Sequence, residues 1–117
     1  MFSDPNCPYC KRFEKDLAKV DDITIYTFLY PILSQDSHEK AKAIWCSPDR
    51  SKAWSDLMLN GKVPVAAHCD TPIEKNLALG RKYRINGTPT LVFTSGERVP
   101  GAVPAEQLEK MLAQSGK

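Results

Sequence analysis

Cys7-Pro8-Tyr9-Cys10 places two thiols two residues apart near the start of this sequence. A thiolate attacks disulfides, and two thiols at this spacing can cycle between a dithiol and an intramolecular disulfide. Asp4-Pro5-Asn6, just before the pair, reads as a turn, and Phe13, Leu17 and Val20 after it recur at helical spacing. Cys7 therefore falls at the start of a helix, where free N–H groups and the helix dipole favour a thiolate over a thiol. That placement predicts Cys7 as the nucleophile, with a pKa below that of ordinary cysteine. Cys10 lies one turn on, on the same side, placed to resolve a mixed disulfide at Cys7. Pro8 lacks an N–H but suits the first turn of a helix, and Tyr9 either touches substrate or covers the surface of the site.

The same spacing admits blander readings. A CxxC can be half of a zinc site, or an inert structural bridge. Cys46 and Cys69 do not supply a second CxxC, and His38 and His68 lack ligand spacing, so no metal or cofactor is expected. Four cysteines allow three pairings, and spacing does not choose among them. An oxidising compartment favours a bridge between the second pair, and a reducing one leaves ordinary thiols.

The elements that must position the pair follow in order. Met1-Phe2-Ser3 reads as the end of an apolar strand, and Pro8 to Val20 as an amphipathic helix ended by Asp21-Asp22. Ile23 to Tyr30, rich in β-branched and aromatic residues, reads as a strand. Ser34 or Asp36 can cap a helix running through Lys40 to Trp45, broken by Ser47-Pro48-Asp49. A second helix runs through Trp54, Leu57 and Met58 and closes on Asn60-Gly61, with Trp45 and Trp54 expected in the local core. Thr71-Pro72-Ile73-Glu74 offers an N-cap, a first-turn proline and a capping-box acid for a helix to about Tyr83, with Gly80 as its weak point. Thr90 to Thr94 reads as a buried strand, Ser95-Gly96 as a hairpin turn and Glu97 to Val99 as its partner. Pro104 opens a last helix with an inner stripe of Leu108, Met111 and Leu112. The resulting βαβ–ββα order is that of the thioredoxin fold, an α/β class, with a helical insertion at about 35–83.

Bulk properties narrow the functions. A length of 117 residues and a hydrophobic fraction of 42% fit one domain, 1–117, with a real core. A net charge of +2 predicts neither nucleic-acid nor membrane binding. No apolar run is long enough to span a bilayer, and no charged-then-apolar leader is seen at the start.

Thr88-Pro89 precedes the third strand. In thioredoxin-like proteins a dipeptide of this kind is cis and faces the reactive pair, so cis is expected here. The residue before the proline then offers backbone N–H and C=O groups on which an extended substrate can pair as an added strand.

The segments FSDPNCPYCKRF, AIWCSPDRSKAW, Cys69-Asp70 and NGTPTLVFTSGERVPG together resemble the catalytic domain of bacterial periplasmic disulfide isomerases, the DsbC/DsbG family. The resemblance implies Cys7 as nucleophile, Cys10 as resolving thiol, and Thr88-Pro89 with Pro8 and Tyr9 as the substrate-facing surface. It also implies a non-catalytic Cys46–Cys69 disulfide, a DsbC-like trait, whereas Pro8 within the CxxC is DsbG-like. Closing the loop from 46 to 69 contributes roughly 3–3.5 kcal/mol by chain-entropy reasoning. A periplasmic location, cysteine-containing protein substrates and a membrane thiol reductase as electron donor are implied as well. Family members are homodimers through an N-terminal domain that this sequence does not contain, so the chain is expected to be an excised or processed catalytic domain and a monomer. Two alternatives stand beside this. CPYC is also the glutaredoxin motif, although glutaredoxins lack the helical insertion and carry Gly-Gly where Ser95-Gly96 stands. An oxidase-type exchanger belongs to the same class, and a non-enzymatic module binding unfolded peptides beside Pro89 is the second alternative.

Overall fold

The computed structural model describes residues 1–114. Four short strands form one sheet in the order β2-β1-β3-β4: β1 (Phe2–Ser3), β2 (Phe28–Leu29), β3 (Thr90–Val92) and β4 (Arg98–Pro100). β1 runs parallel to β2 and antiparallel to β3, which pairs antiparallel with β4. Helix α1 (Pro8–Leu17) follows β1, and α2 (Gln35–Trp45), α3 (Arg50–Asn60) and α4 (Ile73–Lys82) all lie between β2 and β3. Helix α5 (Ala105–Gln114) ends the described chain. This is the thioredoxin-fold order expected from the sequence.

Several boundaries differ from expectation. Of the strand expected over Ile23 to Tyr30, only Phe28–Leu29 pairs with β1 in regular register. The Phe28 N–H donates to the Met1 carbonyl at 2.7 Å, the Tyr30 N–H to the Ser3 carbonyl at 2.9 Å, and the Met1 amino group to the Tyr26 carbonyl at 2.8 Å. Residues 22–26 line a groove of about 480 Å³ together with Phe13, Leu17, Leu91 and Leu108. α1 stops at Leu17, three residues before Val20, which is buried all the same. β3 ends at Val92, where the chain turns through Gly96 at φ +88°.

Helix caps behave as local chemistry dictates. Ser34 and Asp49 each accept the N–H three residues on, and Gly61 closes α3 in the left-handed region at φ +70°. The capping box expected at Thr71 does not form. α4 starts one residue later, with Pro72 at its N-cap, and Glu74 turns instead to His38, 3.1 Å away.

Three clusters make the core. Phe13, Leu17, Val20, Leu91 and Leu108 fill the space between α1, the sheet and α5. Phe2, Tyr30 and Ile85 form a second cluster against α4. The third joins Leu29 to Ala41, Ile44, Trp54, Leu57, Met58 and Ile73, and it includes Cys7 and Cys10. Trp54 is buried as expected, whereas Trp45 is half-buried and carries the Arg50 guanidinium 3.7 Å over its ring.

Gly80 is not a weak point but a point of closest approach. A Cβ built there runs into the Tyr30 ring, and the Tyr30 hydroxyl donates to the Ile85 carbonyl at 2.8 Å. Asn76 adds a second tie from α4, donating to the Leu29 carbonyl at 3.0 Å. In an open helix Gly→Ala gains about 1 kcal/mol. Overpacking against a held aromatic ring costs about 1–3 kcal/mol and wins here. Gly80→Ala is therefore expected to lower stability by about 1–2 kcal/mol, read as a fall in the denaturant midpoint.

Candidate functional site

The site is built on the junction between β1 and α1. Asp4 is fully buried and holds the turn between them. Its carboxylate accepts the Asn6 N–H at 2.8 Å and the Leu33 N–H at 3.0 Å, and its carbonyl accepts the Cys7 N–H at 3.1 Å. Asn6 then reaches α2: its amide donates to Asp36 at 2.9 Å and to the Ser37 hydroxyl at 3.1 Å, and accepts from Lys40 at 2.8 Å. The loop before the cysteines is thus tied both to the segment before α2 and to α2 itself.

Cys7 is the N-cap of α1, with Pro8 next as the first helical residue. Its sulfur accepts the Cys10 N–H at 3.3 Å and lies 3.4 Å from the Thr88 carbonyl, to which the thiol donates. The Thr88–Pro89 peptide is cis. Residues 81 positions apart therefore meet at the sulfur. Both cysteines are free thiols and both are buried, Cys7 at 4% exposure and Cys10 at 1%. Burial pushes the Cys10 thiol up to about 12. Contacts from Ser3, Thr88 and the Asp4 backbone pull it back, and the neighbouring Cys7 adds to the rise. The environment thus keeps Cys10 protonated while the helix start and its N–H groups face Cys7.

Pro8 and Tyr9 are exposed, Tyr9 at 61%, with Arg12 placed over the Tyr9 ring. Pro89 is buried and Thr88 half-buried. The structure therefore brings Cys7, Cys10, Thr88 and Pro89 together, with Pro8 and Tyr9 at the outer rim. Cys46 and Cys69 are bonded to each other, with Cα atoms 5.7 Å apart, at the start of the loop beyond α2. Neither is available to complete a metal site with the CxxC. Among the described residues no cluster of three or more His, Cys, Asp or Glu side chains could hold a metal ion.

Sequence reasoning missed Asp4 and Asn6, which read only as turn formers, and Ser3, which read only as strand. The available signal was a carboxylate three residues before a CxxC, between a strand and a helix, where a turn N–H needs an acceptor. Glu14, on the charged face of the amphipathic helix, accepts the Trp54 indole N–H at 2.8 Å and pins α1 to α3.

The arrangement is a thiol at a helix start, a second thiol beneath it and the cis Thr88–Pro89 peptide opposite. The profile of the thioredoxin-like domain matches residues 1–116. The chain belongs to the thioredoxin-like domain family. Within that family, it is 52% identical over 112 residues to a probable thiol:disulfide interchange protein DsbC of Bordetella parapertussis, covering 96% of this chain and 40% of that protein. Against the thiol:disulfide interchange protein DsbC of Escherichia coli it is 34% identical over 121 residues, covering all of this chain and 51% of the relative. The crystal structure of a disulfide interchange protein from Neisseria gonorrhoeae superposes with a TM-score of 0.94 at 45% identity, covering 99% of this chain and 85% of that one. The chain thus spans about two fifths to one half of the length of these curated relatives.

Within this thioredoxin-like domain, burial raises the Glu14 pKa, partly offset by the bond from Trp54. The folded state then holds this proton more tightly than the unfolded chain does. Stability is lost as pH rises from the ordinary glutamate value through the raised one. Glu14→Gln keeps an acceptor for Trp54 and removes the buried charge. Its melting temperature is expected to exceed that of the parent at neutral pH, with the gap closing at pH values below the ordinary glutamate pKa.

Proposed function

We propose that this chain is a thiol–disulfide exchange domain acting on cysteine-containing protein substrates. The carrying observation is the Cys7 sulfur, capping α1 and held 3.4 Å from the Thr88 carbonyl beside Pro89, with Cys10 buried below it. The Cys7 thiolate attacks one sulfur of a substrate disulfide, and the other sulfur leaves as a thiolate. The Cys10 thiolate then attacks Cys7, releasing the reduced substrate and leaving a Cys7–Cys10 disulfide. In isomerisation a second substrate thiolate attacks Cys7 instead, and the domain ends as it began.

Pro8, Tyr9, Thr88 and Pro89 form the surface on which an extended substrate lies. Thr88 supplies backbone groups for strand-like pairing, and Tyr9 supplies an exposed aromatic face. Such binding uses main-chain groups and therefore suits many unfolded chains. A dithiol domain needs an electron supply, and we assign that to a membrane thiol reductase. The Cys46–Cys69 bridge is stable in an oxidising compartment and supports a periplasmic location.

The reading extends to isomerisation only in part. Holding a misoxidised client while its cysteines reshuffle needs a cleft between two catalytic domains, so this domain by itself is expected to exchange disulfides and isomerise poorly. Refolding of a scrambled disulfide protein at the rate given by a full-length dimeric relative would contradict that.

The direct test is reduction of insulin disulfides. Cys7→Ser is expected to drop to the uncatalysed rate. Cys10→Ala is expected to accumulate a mixed disulfide at Cys7, seen as a mass adduct that dithiothreitol removes. Turnover by Cys7→Ser with Cys10 intact would sink the assignment of the nucleophile.

A further inference from the structure

Resolution by Cys10 poses a physical problem. The thiol is 1% exposed, so water cannot solvate the thiolate it must form, and burial pushes it up to about 12. A buried anion of this kind needs a fixed hydrogen-bond donor.

Ser3 is the unused donor beside it. Its hydroxyl is one of two buried side-chain polar atoms among the described residues that have no hydrogen-bond partner. The other, His38 Nδ1, belongs to a side chain that reaches Glu74 through its Nε2. Leaving a hydroxyl without a partner in the interior is costly. The residue itself is held rigidly: it is fully buried on β1, and its carbonyl accepts the Tyr30 N–H at 2.9 Å. Side chains alternate along a strand, and Phe2 goes to the Tyr30 cluster. Ser3 therefore points to the opposite face, on the side of the Cys10 thiol, with no hydrogen bond formed to it in the dithiol state. A protonated thiol is a weak acceptor, which leaves the hydroxyl unsatisfied in the dithiol state. A thiolate is a charged acceptor and forms a much stronger bond.

We infer that the Ser3 hydroxyl is the donor that stabilises the Cys10 thiolate, so that Ser3 sets the rate and pH dependence of the resolving step. This rests on the thiol-exchange reading. In the step, Cys10 first loses its proton to buffer base and Ser3 donates its O–H to the new thiolate. Cys10 then bonds to Cys7 as the Cys7–substrate bond breaks, and the substrate sulfur leaves as a thiolate. The two cysteines are oxidised and the substrate disulfide is reduced. The Ser3 proton stays on its oxygen throughout.

The probe is the aromatic disulfide dithiobis(nitrobenzoate), added to the reduced protein. The first nitrothiobenzoate is released when Cys7 attacks, and the second when Cys10 resolves. In Ser3→Ala the first phase is expected to be unchanged and the second about tenfold slower at neutral pH, as expected for one charge-assisted hydrogen bond. The pH midpoint of the second phase moves upward by a corresponding amount. Ser3→Thr keeps the hydroxyl and is expected to return the midpoint toward that of the parent. A midpoint unmoved in Ser3→Ala overturns the inference, whatever the rate, because a packing defect slows resolution equally at every pH. Absence of the first phase in the parent protein instead overturns the thiol-exchange reading itself.

Discussion

The two free thiols of this chain are also core residues. Cys7 and Cys10 pack in the same cluster as Ile44, Leu57, Met58 and Ile73, so the beginning of α1 is buried between β1 and the helices that follow β2. A helix start buried this way has N–H groups that must find acceptors inside the protein. Cys7 meets part of that need with its own sulfur, and the Asp4 carbonyl meets another part. Capping and the proposed chemistry therefore share one atom: the sulfur that ends the helix is the one proposed to attack. Displacing it costs helix stability as well as reactivity.

The rest of the architecture follows from holding that junction still. The sheet is small, with two-residue strands at β1 and β2, and cannot fix the loop by ladder bonds alone. The Asp4 and Asn6 network supplies the missing rigidity by tying the loop to the start of α2 through hydrogen bonds, several of them charge-assisted. Exposed ion pairs such as Lys52 with Asp56 add little by comparison, because water and salt screen them. The Cys46–Cys69 bridge acts at the other end of α2, where the long segment after α3 returns to the helical layer. Together they hold both ends of α2, the helix against which the reactive loop leans.

Much of this was legible in the residues. Gly61, Ser34 and Asp49 announced helix boundaries because their effects are local, and the strand–CxxC–helix context favoured thiol exchange over a zinc half-site or an inert bridge. Cys7, Cys10, Thr88 and Pro89 could be placed together because the strand–helix order of the fold brings the ends of β1 and β3 side by side. Illegible were the features that depend on what lies across the core. Ile23 to Tyr30 has every local property of a strand, yet only Phe28 and Leu29 of it join the ladder with β1. Thr71 and Glu74 match a capping box, but the helix started one residue later and His38 competed for the acid. Asp4 and Glu14 are charged side chains. Each is held by partners far away in sequence, Leu33 for one and Trp54 for the other.

Gly80 shows the same nonlocal logic at a single atom. The glycine leaves room for the Tyr30 ring, the ring carries its hydroxyl to the Ile85 carbonyl, and the Ile85 N–H returns to the Gly80 carbonyl at 2.8 Å. The three positions close a circuit through α4, the turn after it and the edge of the sheet. No one of them can drift alone. A larger residue at 80 demands a smaller one at 30, and a smaller one at 30 strands the carbonyl at 85. In a collection of homologous sequences, positions 30 and 80 should therefore change in concert, a record of packing kept in residues that take no part in sulfur chemistry.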